Sequence, residues 1–153
     1  MVLNRQRRVR VAVAPLAAFL ERAACELRFP RNAVAVQLLS DSAMAALNRQ
    51  FRGKRGSTDV LSFPAGGIES RRGPRDLPNE GEEREEAYVG DIAISPQTAR
   101  RNARLYSRSL VEELRILILH GMIHLAGYDH QTDRGQMARL ERRLRRRFGL
   151  SPS

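Results

Sequence analysis

All three histidines of the chain, His120, His124 and His130, fall within eleven residues. His120 and His124 are spaced as i and i+4, so on a helix the two imidazoles share one face a turn apart, within reach of one metal ion. Gly127 can end that helix in a left-handed turn, and Tyr128-Asp129 then brings the chain round to His130. Neutral imidazole suits Zn²⁺, and three protein ligands leave a fourth position for water, whose pKa zinc lowers toward ~7. We therefore expect one zinc ion on His120, His124 and His130. A closed structural site would need a fourth protein ligand, often cysteine. The single cysteine, Cys25, falls on a different helix, off its apolar stripe. Asp129 is the other candidate, but its neighbour His130 already points at the metal, so the pattern favours an open, catalytic site.

The spacing is similar to the H-E-x-x-H-x-x-G-x-x-H motif of zinc proteases, with two differences. Position 121 is Gly where a protease has its general-base Glu, and three residues, not two, separate Gly127 from His130. Without that carboxylate, peptide hydrolysis lacks its proton acceptor. A metal and a cation together could instead stabilise charge developing on a phosphodiester. Arg52, in a basic turn, is such a cation, and its planar fork can bind phosphate bidentately. Among 26 arginines, chemistry alone does not single it out.

Helices and strands must hold these residues. Leu110 to Ala126 reads as a helix apolar on nearly every side, the buried centre of a fold, with Ser109 and Glu112 as a capping box. Leu16, Phe19, Leu20, Ala23, Ala24 and Leu27 make the stripe of a helix from about Ala14 to Arg28. Val34, Val36 and Leu38 alternate as a strand, and Ser40 or Asp41 caps a helix whose Met44, Leu47 and Phe51 point inward. Strands follow over Thr58 to Phe63 and Tyr88 to Ile94, and Ser95-Pro96 starts a helix to about Tyr106. A last helix spans about Asp133 to Phe148, and a first short strand lies within residues 2–12. Residues 65–87, rich in Gly, Pro and charge, read as a long surface loop. The expected fold class is α+β (mixed α/β): one domain over residues 1–153, with a buried sheet and a buried metal-ligand helix.

The formal charge is +10, from 27 basic and 17 acidic side chains. The excess lies outside the middle of the chain, since residues 69–91 carry 4 basic and 8 acidic groups. A basic surface attracts polyanions with salt-dependent affinity. Arg139, Arg142, Arg143, Arg145, Arg146 and Arg147 are expected on the outer face of the last helix, where they would add to such a surface. No stretch approaches the ~20 apolar residues that span a bilayer, which excludes an integral membrane protein. One cysteine excludes an internal disulfide and fits a reducing compartment. Arg5 to Cys25 imitates a lipoprotein signal, but cleavage there would destroy a core-forming helix, so a cytoplasmic location is expected.

Three segments together resemble one family: F-R-G-K-R-G-S-T-D-V-L-S-F-P from Phe51 to Pro64, G-D-I-A-I-S from Gly90 to Ser95, and H-G-M-I-H-L-A-G-Y-D-H from His120 to His130. They resemble the YbeY family of bacterial metal-dependent endoribonucleases, tied to ribosomal RNA maturation. The order and spacing of elements match from about residue 15 to 148. The resemblance implies a central four-stranded sheet wrapped by helices and zinc on His120, His124 and His130. It implies cleavage of single-stranded RNA, maturation of the small-subunit rRNA 3′ end and ribosome quality control, with rRNA and the small ribosomal subunit as partners. Arg52 is then the candidate phosphate-binding or catalytic residue, acting with His124. Asp59 or Ser62 is expected to line the floor of the groove, and Glu113 is either a partner of a ligand or a surface carboxylate. The alternatives are a zinc-dependent peptidase, which Gly121 argues against, and a non-catalytic zinc-containing ribosome-assembly factor.

Overall fold

The computed structural model describes residues 1–53, 58–65, 88–129 and 132–152. The basic turn at 54–57, the loop from 66 to 87 and His130 lie outside these described residues. The element order is β1 (Val2–Asn4), α1 (Val13–Glu26), β2 (Val34–Leu38), α2 (Asp41–Arg52), β3 (Val60–Pro64), β4 (Gly90–Ile94), α3 (Pro96–Leu105), α4 (Leu110–Leu125) and α5 (Gln136–Arg147). The strands form one four-stranded sheet in the order β1-β2-β4-β3, so the α+β expectation holds. β1, β2 and β4 run parallel, while β3 is antiparallel to β4.

Strand alternation divides the core into two layers. Val34, Val36 and Leu38 of β2 and Ile92 and Ile94 of β4 belong to the main core, with Leu16, Phe19 and Leu20 of α1 and the apolar side of α4. The opposite set, Leu61 and Ala93, packs under Met44 of α2. One sheet face is therefore covered by α2, and the other by α4 with α1 and α3 against it. In α4, Leu114, Ile116, Leu117, Ile118, Leu119, Met122 and Ile123 are all buried. Each such side chain stabilises by roughly 1.5–3 kcal/mol on leaving water. No other helix among the described residues is so thoroughly anchored, and it carries His120 and His124.

The helix starts follow their caps. Ser40, Ser95 and Ser109 each accept a backbone N–H three residues on, and Pro96 takes the first position of α3. Asp41 does not cap α2. Its carboxylate instead reaches α3, accepting from the Ser95 and Thr98 hydroxyls and the Arg101 guanidinium. α5 starts at Gln136 rather than Asp133, because the Asp133 carboxylate is drawn into a turn where it accepts the N–H groups of Gly135 and Met137. Phe51 is not inward as expected. It is 42% exposed, standing at the end of α2 in an edge-to-face pair with Phe63 at 5.2 Å between ring centroids.

The Asp41 cluster joins α2 to α3 and gives the fold an acid-sensitive tie. Burial alone would raise the carboxyl's pKa, but the donors from Ser95, Thr98 and Arg101 outweigh it and hold the pKa below the ordinary aspartate value. The folded state therefore gains stability at pH values above the unfolded pKa, and loses it as pH falls through the depressed one. Asp41→Asn should cost about 1–3 kcal/mol at pH 7. In urea titrations the gap between wild type and variant should shrink from pH 5 toward pH 3. A gap independent of pH would contradict this assignment.

Candidate metal centre

The C-terminal turn of α4 builds the site. Gly127, at φ +101°, closes the helix. Its N–H donates to the His124 carbonyl at 3.0 Å, and the Tyr128 N–H donates to the Ile123 carbonyl at 3.3 Å. This is the paired hydrogen-bond arrangement of a Schellman turn, which favours glycine at its left-handed position. The turn folds the Tyr128 carbonyl back over the helix end, where it meets Nδ1 of His124 at 3.1 Å. A carbonyl only accepts, so His124 carries its proton on Nδ1. His120 is treated alike from another element, since its Nδ1 lies 3.1 Å from Oε1 of Glu141 on α5. Both rings thus direct an Nε2 lone pair forward, and the two Nε2 atoms lie 3.2 Å apart.

Two converging lone pairs at that separation repel unless a cation lies between them. Tetrahedral zinc with bonds of ~2.0–2.1 Å sets two nitrogens about 3.3 Å apart. The pair therefore fits a zinc ion, and each imidazole has the outer hydrogen bond that ligating histidines almost always make. Glu141 is well suited to that task. Burial raises its pKa, but the hydrogen bond from His120 and the nearby Arg145 guanidinium outweigh burial and hold the carboxyl below the ordinary glutamate value. Arg145 approaches Glu141 at 3.4 Å from the next turn of α5.

A cleft of about 540 Å³ opens over the histidines. The structure brings Arg52, Asp59, Ser62, His120, His124 and Asp129 into its walls. Arg52 stands exposed at the end of α2. Asp59 is held in place, accepting from the Val60 N–H at 2.8 Å and the Asn102 amide at 3.2 Å. Ser62 ties β3 to α4 by donating to the Gly121 carbonyl at 3.2 Å. His130, expected as the third ligand, lies outside the described residues. A more apolar cavity of about 360 Å³, between Leu47, Phe51, Phe63 and Tyr88, lies on the other sheet face and includes neither His120 nor His124.

Gly121 turns out to be a packing requirement. A Cβ there would stand 3.0 Å from two carbons of Ile92 on β4. The residue faces the sheet, so α4 can lie close against it. A side chain at this position would begin against Ile92, which would have to give way.

Two expectations need correction. Arg145 is not an outer-face arginine: it is buried, because it lies one turn from Glu141 on the inward side of α5. Arg139, Arg142, Arg143, Arg146 and Arg147 are exposed as expected. Glu113 is neither a surface carboxylate nor bonded to a ligand. It is buried and paired with Arg108 at 3.1 Å. Burial raises its pKa and the Asp59 charge adds to this, while Arg108 and Arg145 pull the other way. Sequence reasoning missed Glu141 altogether. Its signal is an acidic residue on the inward side of a helix whose outer side is arginine.

The fold and site define an α+β protein whose helix end holds two imidazoles ready for a cation, in an open cleft. The family model of Endoribonuclease YbeY matches residues 2–149. An endoribonuclease YbeY from Koribacter versatilis is 40% identical over 153 residues, covering 100% of this chain and 88% of the relative. Another, from Solibacter usitatus, is 42% identical over 113 residues, covering 74% of this chain and 64% of the relative. The solution structure of TM1509 from Thermotoga maritima superposes with a TM-score of 0.59 at 25% identity, over 97% of this chain and 90% of that one. The chain belongs to the Endoribonuclease YbeY family. No helix among the described residues is long and apolar enough to cross a membrane.

The Glu141 contact predicts a metal phenotype. Glu141→Ala should lower zinc affinity about 10- to 100-fold in competition with a chelating dye. Glu141→Gln, which keeps an acceptor, should lose less. A folded Glu141→Ala protein with unchanged affinity would show that His120 needs no such partner.

Proposed function

We propose that this member of the endoribonuclease family cleaves single-stranded RNA with one zinc ion held by His120, His124 and His130. The observation that carries the reading is the convergence of the His120 and His124 Nε2 atoms at 3.2 Å in a cleft that Arg52 also lines. Zinc, when bound, supplies Lewis acidity and a water acidic enough to ionise near neutral pH. Everything else is the work of this chain. Glu141 and the Tyr128 carbonyl fix both rings with their protons on Nδ1, so each ring turns its Nε2 toward the other. Arg52 offers a planar pair of N–H donors to a phosphate entering the cleft and offsets the charge that develops on its oxygens. Asp59 and Ser62 shape the floor, with Ser62 committed to the α4 backbone.

The peptidase reading fails on Gly121, whose position against Ile92 leaves no place for a general base at the usual point. The width of the cleft favours catalysis over a purely structural zinc. The exposed arginines of α5 (Arg139, Arg142, Arg143, Arg146 and Arg147) give a polyanion-binding face. With the resemblance of the three motif segments, this supports maturation of small-subunit rRNA in the cytoplasm as the biological role.

The two halves of the site should separate in experiment. His124→Ala should lose bound zinc and RNA cleavage together. Arg52→Ala should keep its zinc and cut kcat on a single-stranded RNA oligonucleotide by about 10²-fold or more, with a smaller change in RNA affinity. Full cleavage by metal-free His124→Ala would overturn the reading.

A further inference from the structure

The cleft does not end at the imidazoles. Beyond Asp59 and Val60 a second cavity, of about 300 Å³, opens between α3, α4 and α5, and His120 lines both. Its walls carry three carboxylates, Asp59, Glu113 and Glu141, against two guanidiniums, Arg108 and Arg145. That balance does not favour a phosphate. It suits a neutral group rich in both donors and acceptors.

One wall supplies a flat surface. Tyr106 lines the cavity and is nevertheless 58% exposed. The Arg108 guanidinium lies over its ring, 4.8 Å from the centroid. Arg108 in turn is fixed by the buried Glu113 at 3.1 Å, and its side chain is only 8% exposed. Ser107, between them, adopts φ +55° as the left-handed residue that ends α3, with the Arg108 N–H donating to the Ala103 carbonyl at 2.9 Å. A buried ion pair and the turn that ends α3 thus hold an aromatic ring at the surface, where hydrophobicity alone would not keep it. One turn earlier on the same helix, the Asn102 amide donates to Asp59 at 3.2 Å, placing amide and carboxylate edges beside the ring in the same cavity.

We propose that this cavity is a nucleobase subsite. An unpaired base flanking the scissile phosphate stacks on Tyr106, with its edge toward Asn102 and Asp59. Stacking on an aromatic ring with polar groups at the base edge is the usual way proteins hold single-stranded RNA. A base must leave its helix to enter such a pocket, so the subsite also gives a physical reason for preferring unpaired RNA. This inference rests on the endoribonuclease reading above.

The test uses the zinc-loaded full chain and a single-stranded RNA oligonucleotide with one cleavage site, together with copies in which one position at a time is abasic. Tyr106→Ala should raise KM at least about 5-fold, the lower end for loss of one stacked base, with kcat changed less. Tyr106→Phe, which keeps the ring, should stay near wild type. One abasic position next to the cleaved bond should raise the wild-type KM by a similar factor, and should cost Tyr106→Ala nothing further. A wild-type KM for Tyr106→Ala, or abasic penalties as large in that variant as in wild type at every position, overturns the subsite and leaves the nuclease reading standing. No cleavage by the wild-type protein overturns the nuclease reading and the subsite with it.

Discussion

The Nε2 lone pairs of His120 and His124 face each other at 3.2 Å, a geometry that neutral imidazoles do not favour by themselves. Three separate parts of the chain hold it. α4 fixes both Cα positions by burying seven large apolar side chains. The Schellman turn at Gly127 sends a carbonyl back to His124, and α5 sends a carboxylate to His120. Each ring is therefore locked by a partner that only accepts, leaving the opposite nitrogen as the ligand. The two nitrogens thus converge on one point, at a separation that suits a shared cation.

Gly121 shows how closely packing and site depend on each other. Its missing side chain lets α4 lie against Ile92, and the same backbone carbonyl accepts from Ser62. The helix is thus pinned to β4 and β3 at the residue next to His120. A Cβ there would press on the Ile92 side chain at the point where the helix meets the sheet. The glycine that removes a protease-like general base from the motif is thereby the residue that seats the ligand helix.

Much of this was legible in the sequence where the signal was local. The i, i+4 spacing, the serine caps and the glycine turn follow from helix geometry alone, and the apolar run of α4 announced a buried helix. Strand alternation in β2 gave the sheet its buried face. What the sequence hid was long-range. Glu141 meets His120 across 21 residues, and its inward place on an arginine-faced helix does not say which residue it meets. Arg145 looked like one of a run of surface arginines, yet helical periodicity turns it inward beside Glu141. Glu113 likewise finds Arg108 only because α4 is buried on that side as well. Charge runs conceal such residues, because composition is blind to which turn of a helix faces the core.

We propose that the histidine pair holds a metal in an open site. X-ray absorption at the zinc edge on the full-length protein, purified with zinc, tests it most directly. The account predicts three imidazole nitrogens at ~2.0–2.1 Å and one light oxygen ligand, with no sulfur. A shell completed by a fourth protein nitrogen, or no zinc retained after dialysis, would contradict it.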